Sequence, residues 1–353
     1  MNPEFLRAMR DAARLTGGGD LAGATAAIQQ ALSRGTAVAP GGADAPHSVL
    51  DVEEIEEIVW RDVDAPPSGE GRIEAGTYSA SSGARAYKLY VPPQAGTAAL
   101  PLVVMLHGCT QNADDFARGT AMNDLAKAQG FYVLYPEQSD QANPQRCWNW
   151  FKHSHQERGR GEPALLSGMT RKVIASHRID TRRVFVAGLS AGGAMAAIVA
   201  ETYPELFAAA GVHSGLATGV ASDLPSALGA MQRGPQGAPQ GANGVPTIVF
   251  HGDADRTVHP GNGERVISAS AAAGAGGVEV EHGVARGGRR YTRHVHRASA
   301  GGAVLAEHWV IHGAPHAWSG GRATGSHTDP AGPDASAEMV RFFLERAPAQ
   351  PSR

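Results

Sequence analysis

Four stretches of the chain are apolar at nearly every position: LPLVVMLHG (Leu100 to Gly108), GFYVLY (Gly130 to Tyr135), Arg183 to Ala187, and Thr247 to Phe250 after Pro246. Runs this short and this continuous predict strands buried on both faces, the pattern of a parallel sheet. Between them, Asp124 to Gln129 has helical character, and the small residues after Gly192 predict a helix that follows the third run directly. Gly76 to Pro93 alternates, with Tyr78, Arg85, Tyr87, Leu89 and Val91 around a turn at Ser81 to Gly83, and predicts an antiparallel hairpin. Arg289 to Arg297 and Val304 to Ile311 alternate in the same way and predict a late hairpin. Asp334 starts a terminal helix with Met339, Phe342 and Phe343 facing inward. Strands alternating with helices indicate an α/β fold: a mostly parallel sheet with helices on both faces. Pro136 to Pro163 and the low-complexity stretch Gly229 to Gly244 are expected to be loops.

Upstream the pattern changes. Phe5, Met9 and Ala12 lie at helical spacing, Gly17 to Gly19 break it, and Asp20 caps a second helix carrying Leu21, Ile28 and Leu32. Gly35 to His47 is a Gly/Pro/Ala linker, and Leu50 to Trp60 is a short acidic segment. The organisation expected is an N-terminal helical accessory segment and linker over residues 1–65 and a catalytic domain over 66–348, whose patterned part begins near Gly71.

Charge narrows the function classes. The 353 residues carry a net charge of -3, with 18% charged, so nothing pulls the chain toward nucleic acid or an anionic membrane. The first residues, MNPEFLRAMRDAARL, are interspersed with charge and lack the apolar core of a leader. No segment approaches the ~18 uninterrupted apolar residues of a membrane span. A cytoplasmic protein is expected, or a secreted one if the chain starts downstream of a leader. The two cysteines, Cys109 and Cys147, are too few for a disulfide framework but enough for one bridge.

The chemistry centres on VFVAGLSAGGAMAA, Val184 to Ala197. A buried strand, Gly188-Leu189-Ser190-Ala191-Gly192, then a helix is the G-x-S-x-G arrangement, in which a sharp turn exposes the serine and the glycines keep strand and helix from colliding. Ser190 is the predicted nucleophile. A serine needs a base to take its proton and a carboxylate to orient that base. In open α/β sheets these lie in loops beyond later strands, in the order Ser, Asp or Glu, His. HGDADRTVHP (His251 to Pro260) offers Asp253 and Asp255, and IHGAPHAW offers His312 and His316. Asp255 lies deeper in its loop and is favoured, with the resemblance below. His316 is preferred because it follows Gly313 and Pro315 in a loop free to swing toward Ser190, whereas His312 continues the strand register. The oxyanion needs two donors: the N–H of Ala191, after the nucleophile, and the N–H of Cys109, with His107 bracing that loop. Cys109 and Cys147 could form a bridge pinning the loop or stay as two buried thiols. His294 and His296 share a strand face but lack an accompanying metal motif. No metal or other cofactor is expected, and the basic run GGRRYTRHVHR reads as a solvated strand face.

Several strings together, HGCTQNADDFARGT (His107 to Thr120), LYPEQ (Leu134 to Gln138), NPQRCWNWF (Asn143 to Phe151), GLSAGGAMAA, GVHSGL, HGDADRTVHP and HAWSGG, resemble the type 1 catalytic domain of short-chain poly(3-hydroxybutyrate) depolymerases. That family sits within a wider esterase group including feruloyl and acetylxylan esterases. The resemblance covers roughly Arg72 to Phe343. It implies an α/β-hydrolase fold, the triad Ser190, Asp255 and His316, the HGC loop as oxyanion site, and hydrolysis of 3-hydroxybutyrate esters. It implies a polyester or oligoester as substrate, and the chain is similar to intracellular members that act at storage granules. Trp148, Trp150 and Trp318 could line a groove for the polyester or serve as rigid loop packing. Two alternatives stand beside this reading: a carbohydrate esterase with the same triad, and a non-catalytic granule protein on a hydrolase fold.

Overall fold

The structure is a computed structural model and describes residues 61–62, 69–237, 244–271, 277–299 and 302–346. The expected N-terminal helical hairpin, its linker and the acidic segment lie outside them. Among the described residues the chain forms β1 (Arg61–Asp62), β2 (Arg72–Ala80), β3 (Gly83–Val91), β4 (Leu100–Leu106), β5 (Tyr132–Pro136), β6 (Ile179–Leu189), β7 (Ala209–His213), β8 (Thr247–Gly252), β9 (Val278–Val284), β10 (Arg290–Arg297) and β11 (Val304–Ile311). They make one sheet in the order β1-β2-β3-β5-β4-β6-β7-β8-β11-β10-β9. The central strands from β5 to β11 run parallel, and both ends are closed by antiparallel strands. The first strand precedes residue 66, so the sheet reaches back past the domain boundary expected from the sequence.

The continuous apolar runs are explained by what lies above and below. Side chains alternate across a strand, so β4 sends Leu102, Val104 and Leu106 to one face and Val103 and Met105 to the other. The first face packs on helices α3 (Gly161–Ser176) and α4 (Ala191–Thr202), through Leu165, Met169, Met195 and Ile198. The second packs on α1 (Ala113–Thr120), α2 (Met122–Gln129) and the terminal helix α7 (Ala335–Arg346), through Phe116, Met122, Met339 and Phe342. Helix α5 (Leu224–Arg233) precedes β8, and α6 (Gly261–Ala271) covers Val249 and Ala306 with Val266 and Ile267. Two short strands, β12 (Trp318–Ser319) and β13 (Thr328–Asp329), pair outside the sheet.

The sequence pattern and the structure part at a few places. Strand β6 is longer than the predicted Arg183 to Ala187, and β7, β9, α1, α3, α5 and α6 are among the elements for which the sequence predicted none. Gly229 to Arg233, read as the start of a low-complexity loop, are the last turns of α5, and 238–243 lie outside the described residues. The central strands are parallel, so their carboxyl ends share one edge of the sheet, and the loops there build the site.

Candidate active site

Ser190 occupies the turn between β6 and α4 with φ 57° and ψ -119°, a backbone conformation that costs a non-glycine residue roughly 1–3 kcal/mol. The flanking glycines make the turn geometrically possible. A Cβ on Gly188 would lie 2.4 Å from the Gly192 carbonyl, and one on Gly192 would lie 2.0 Å from the Leu106 oxygen. The turn is anchored by the Ser190 N–H, which donates to the His213 carbonyl at 2.8 Å. The side chain therefore stands clear of the strand, on a half-buried residue.

Asp255 and His316 meet across the loops that follow β8 and β11: His316 Nδ1 lies 2.6 Å from Asp255 Oδ2. The other carboxylate oxygen, Oδ1, accepts the N–H groups of Thr257 and Val258 at 2.8 and 2.9 Å. The Asp255 side chain is fully buried. Burial alone would raise its pKa, but hydrogen bonds from His251 and His316, the charge of His316 and the Val258 N–H outweigh it and hold the carboxyl well below the usual range. An ionised Asp255 requires His316 Nδ1 to carry the proton, which leaves Nε2 as the basic nitrogen. His316 Nε2 has no hydrogen-bond partner among the described residues, Ser190 Oγ included, and stays available. The loop that carries His316 is linked to the turn at Ser190 through a third residue. Ser319 N–H, three positions after His316, donates to His213 Nε2 at 2.9 Å, and the His213 carbonyl holds Ser190.

The other Asp–His pair of the sequence also forms. Asp253 Oδ2 lies 2.8 Å from His312 Nδ1, on the exposed side of the same two loops.

In the loop after β4, the Gly108 N–H is occupied by Gln111 Oε1 at 2.9 Å and the Thr110 N–H by the Gln145 carbonyl at 2.7 Å. The Cys109 N–H between them has no acceptor among the described residues. Ala191, at the first position of α4, has an N–H beyond the reach of intrahelical acceptors. His107 gives no donor to the site: its Nδ1 bonds the Gly108 carbonyl at 2.7 Å and its Nε2 accepts the Gln138 N–H at 3.1 Å. Burial pushes its pKa down to about 4, so it is a neutral brace. A disulfide joins Cys109 to Cys147, fastening this loop to the one carrying Trp148 and Trp150.

The three tryptophans are buried, which favours rigid loop packing over the groove lining that the sequence left open beside it. Trp148 is 0% exposed and Trp318 1%, with Trp150 at 5%. Trp148 Nε1 donates to the His107 carbonyl at 3.1 Å and Trp318 Nε1 to Ser336 Oγ at 3.0 Å. Trp318 also stacks on His213, with ring centroids 5.0 Å apart. They pack the loops from behind.

Sequence reasoning passed over the groups that hold these loops. His213 is the central one: burial pushes its pKa far down, so it stays neutral and its Nε2 can accept from Ser319. Its signal was GVHSGL, at the end of the strand beside the nucleophile's. Glu162 is the other, 2% exposed. Its carboxylate accepts the Asn149 N–H at 2.7 Å, Asn149 Nδ2 at 2.8 Å and Gln138 Nε2 at 2.6 Å, with Arg85 3.5 Å away. Burial opposes its ionisation, and the neighbouring His155 with the hydrogen bonds from Gln138 and Asn149 reverses that, so its pKa lies below the usual value. LYPEQ and NPQRCWNWF supply Gln138 and Asn149.

Among the described residues no group of three or more His, Cys, Asp or Glu is placed to hold a metal ion. His294 faces His308 across β10 and β11, with ring centroids 6.0 Å apart.

A family model described as Esterase PHB depolymerase matches residues 85–291. Poly(3-hydroxyalkanoate) depolymerase C of Paucimonas lemoignei is 42% identical over 118 residues, 33% of this chain and 28% of that protein. A probable acetylxylan esterase A of Neosartorya fischeri is 36% identical over 127 residues, 36% of this chain and 33% of that protein. Feruloyl esterase B of Neurospora crassa is 34% identical over 126 residues, 35% of this chain and 42% of that protein. The chain thus spans less than half the length of these relatives. An acetyl xylan esterase from Aspergillus awamori superposes with a TM-score of 0.58 at 20% identity, over 74% of this chain and 94% of that one. An S-formylglutathione hydrolase from Agrobacterium tumefaciens gives 0.51 at 14% identity, over 82% and 100%. At these identities the likeness is one of fold, the α/β-hydrolase fold. No helix among the described residues is long and apolar enough to cross a membrane.

Proposed function

The chain belongs to the esterase PHB depolymerase family, and from that premise we propose that it is a serine esterase cleaving poly(3-hydroxybutyrate) or its oligomers. The observation that carries the reading is the buried, ionised Asp255 bonded to His316 Nδ1 at 2.6 Å, in loops tied through His213 to the turn that holds Ser190. Ser190 Oγ attacks the ester carbonyl while His316 Nε2 takes its proton. The N–H groups of Cys109 and Ala191 stabilise the oxyanion. His316 returns the proton to the leaving alcohol, and the acyl group stays on Ser190. Water, deprotonated by His316, then releases the 3-hydroxy acid and restores the serine.

Ser190→Ala should lower turnover of a short acyl ester by roughly 10⁴-fold or more, with thermal unfolding little changed. Turnover surviving in that variant rejects Ser190 as the nucleophile, and a fluorophosphonate that fails to label Ser190 in the native chain favours a non-catalytic role. The likeness to acetylxylan and feruloyl esterases supports a second reading on the same triad. A panel of amorphous poly(3-hydroxybutyrate), methyl ferulate and acetylated xylan separates them. For location, the Cys109–Cys147 disulfide favours an oxidising compartment over cytoplasmic storage granules.

A further inference from the structure

Two aspartates two residues apart face two histidines four residues apart, and each pairs with its counterpart across the same two loops. The inner pair is Asp255–His316. The outer pair, Asp253–His312, is open to solvent, with side chains 41% and 36% exposed, and an ion pair that exposed contributes little to stability. Its geometry is nonetheless that of a clamp. Asp253 Oδ1 accepts the Gly313 N–H at 2.6 Å and Oδ2 meets His312 Nδ1 at 2.8 Å, so both oxygens grip consecutive residues where the chain leaves β11. The Asp253 N–H donates to the Ile311 carbonyl at 3.1 Å, extending the β8–β11 ladder by one rung. Gly313 turns there at φ 70°, with Arg289 on its carbonyl at 2.8 Å. The next residue lays its backbone on the other loop: a Cβ on Gly252 would be 2.2 Å from the Ala314 oxygen. Two residues later comes His316.

We propose that Asp253 and His312 are positioning residues for the reaction, setting the distance and angle at which His316 is presented to Asp255. The inference rests on the triad reading above. His312 is in turn held from β10, since its Nε2 lies 2.9 Å from Thr292 Oγ1, which lies 3.1 Å from His282 Nδ1. Aspartate, histidine and threonine hydroxyl in series look like a second triad, but Thr292 is buried in the middle of a paired strand, where no pair of free backbone N–H groups awaits an oxyanion. The series therefore anchors the loop.

A misplacement of about 1 Å at a reacting group costs up to ~10²-fold in rate, whereas loss of an exposed ion pair alone costs almost nothing. Asp253→Ala removes both grips. Asp253→Asn keeps one acceptor for the Gly313 N–H and loses the charge. With a short acyl ester, Asp253→Ala is expected to lower kcat by about tenfold with KM within about twofold, and Asp253→Asn to recover a good part of that loss. The low-field proton resonance of His316 Nδ1–H, read by NMR without substrate, is expected to shift or broaden in Asp253→Ala. A kcat within about twofold of the native value and an unmoved resonance overturn the proposal, as does a loss confined to KM. If Asp253→Ala does not fold, Asp253→Asn decides: it must lower kcat and move the resonance. Should the native chain be inert on every ester, the functional reading fails on that result, while the resonance still tests the clamp.

Discussion

Whether a glycine can be replaced at the Ser190 turn is decided by tenths of an ångström. At Gly192 a methyl group would lie 2.0 Å from the Leu106 oxygen and 2.5 Å from that of His107, both backbone atoms that cannot rotate away. Gly192→Ala should therefore push α4 off the HGC loop, costing about 3 kcal/mol in stability and separating the two proposed oxyanion donors. A denaturant titration alongside kcat checks it, and a variant with native stability would show that the turn is looser than described. These constraints were legible because the reason for each residue is local: the glycines flank the serine by two positions. The Asp255–His316 contact joins groups 61 positions apart, and only the order of loops after strands, with the family resemblance, pointed to it. GVHSGL marked the place of His213 but not its role, because that role depends on Ser319, 106 positions away, and no period in the sequence records such a contact.

Elements were readable where one pattern dominated. The continuous apolar runs of β4, β5 and β8 announced strands covered on both sides. Ala209–His213, with its run of small residues, gave no such signal, and Glu279 and Glu281 hid β9 by engaging Arg297 and Arg293 on the next strand. The segment from Pro136 to Pro163 read as polar loop because its order comes from one carboxylate at the first turn of α3, where the helix end also favours negative charge. Glu162→Gln keeps the shape but turns an acceptor into a donor facing Asn149 and Gln138. It should cost about 3 kcal/mol, as expected for breaking a buried, hydrogen-bonded charge. It should also lower kcat, because Gln138 supports both His107 and the Cys147 carbonyl. Equilibrium unfolding of the variant measures the first effect, and native-like stability would contradict the role given to Glu162.

For the whole molecule, the same buried groups set the response to acid. Burial pushes His107 down to about 4 and His308 to about 3, and His213 well below its ordinary value of 6.5. In the unfolded chain each returns to near 6.5. As pH falls below that value the unfolded chain binds protons that the folded chain refuses, so stability drops, by up to roughly 1.4 kcal/mol per pH unit for each histidine. The loss from each histidine stops at its folded pKa. Asp255 and Glu162 act in a lower window. Their folded pKa values are depressed, so they contribute stability above about 4.5 and lose it as pH falls through those lower values. The expected result is a midpoint of thermal unfolding that declines already between about pH 6.5 and 5, chiefly through the imidazoles, with a net uptake of at least about two protons on unfolding near pH 5. Calorimetry in buffers of different ionisation enthalpy counts those protons. A midpoint flat from about pH 7.5 to 5 would mean that these imidazoles take up protons in the folded state, and a charged His213 could no longer accept the Ser319 N–H at its Nε2.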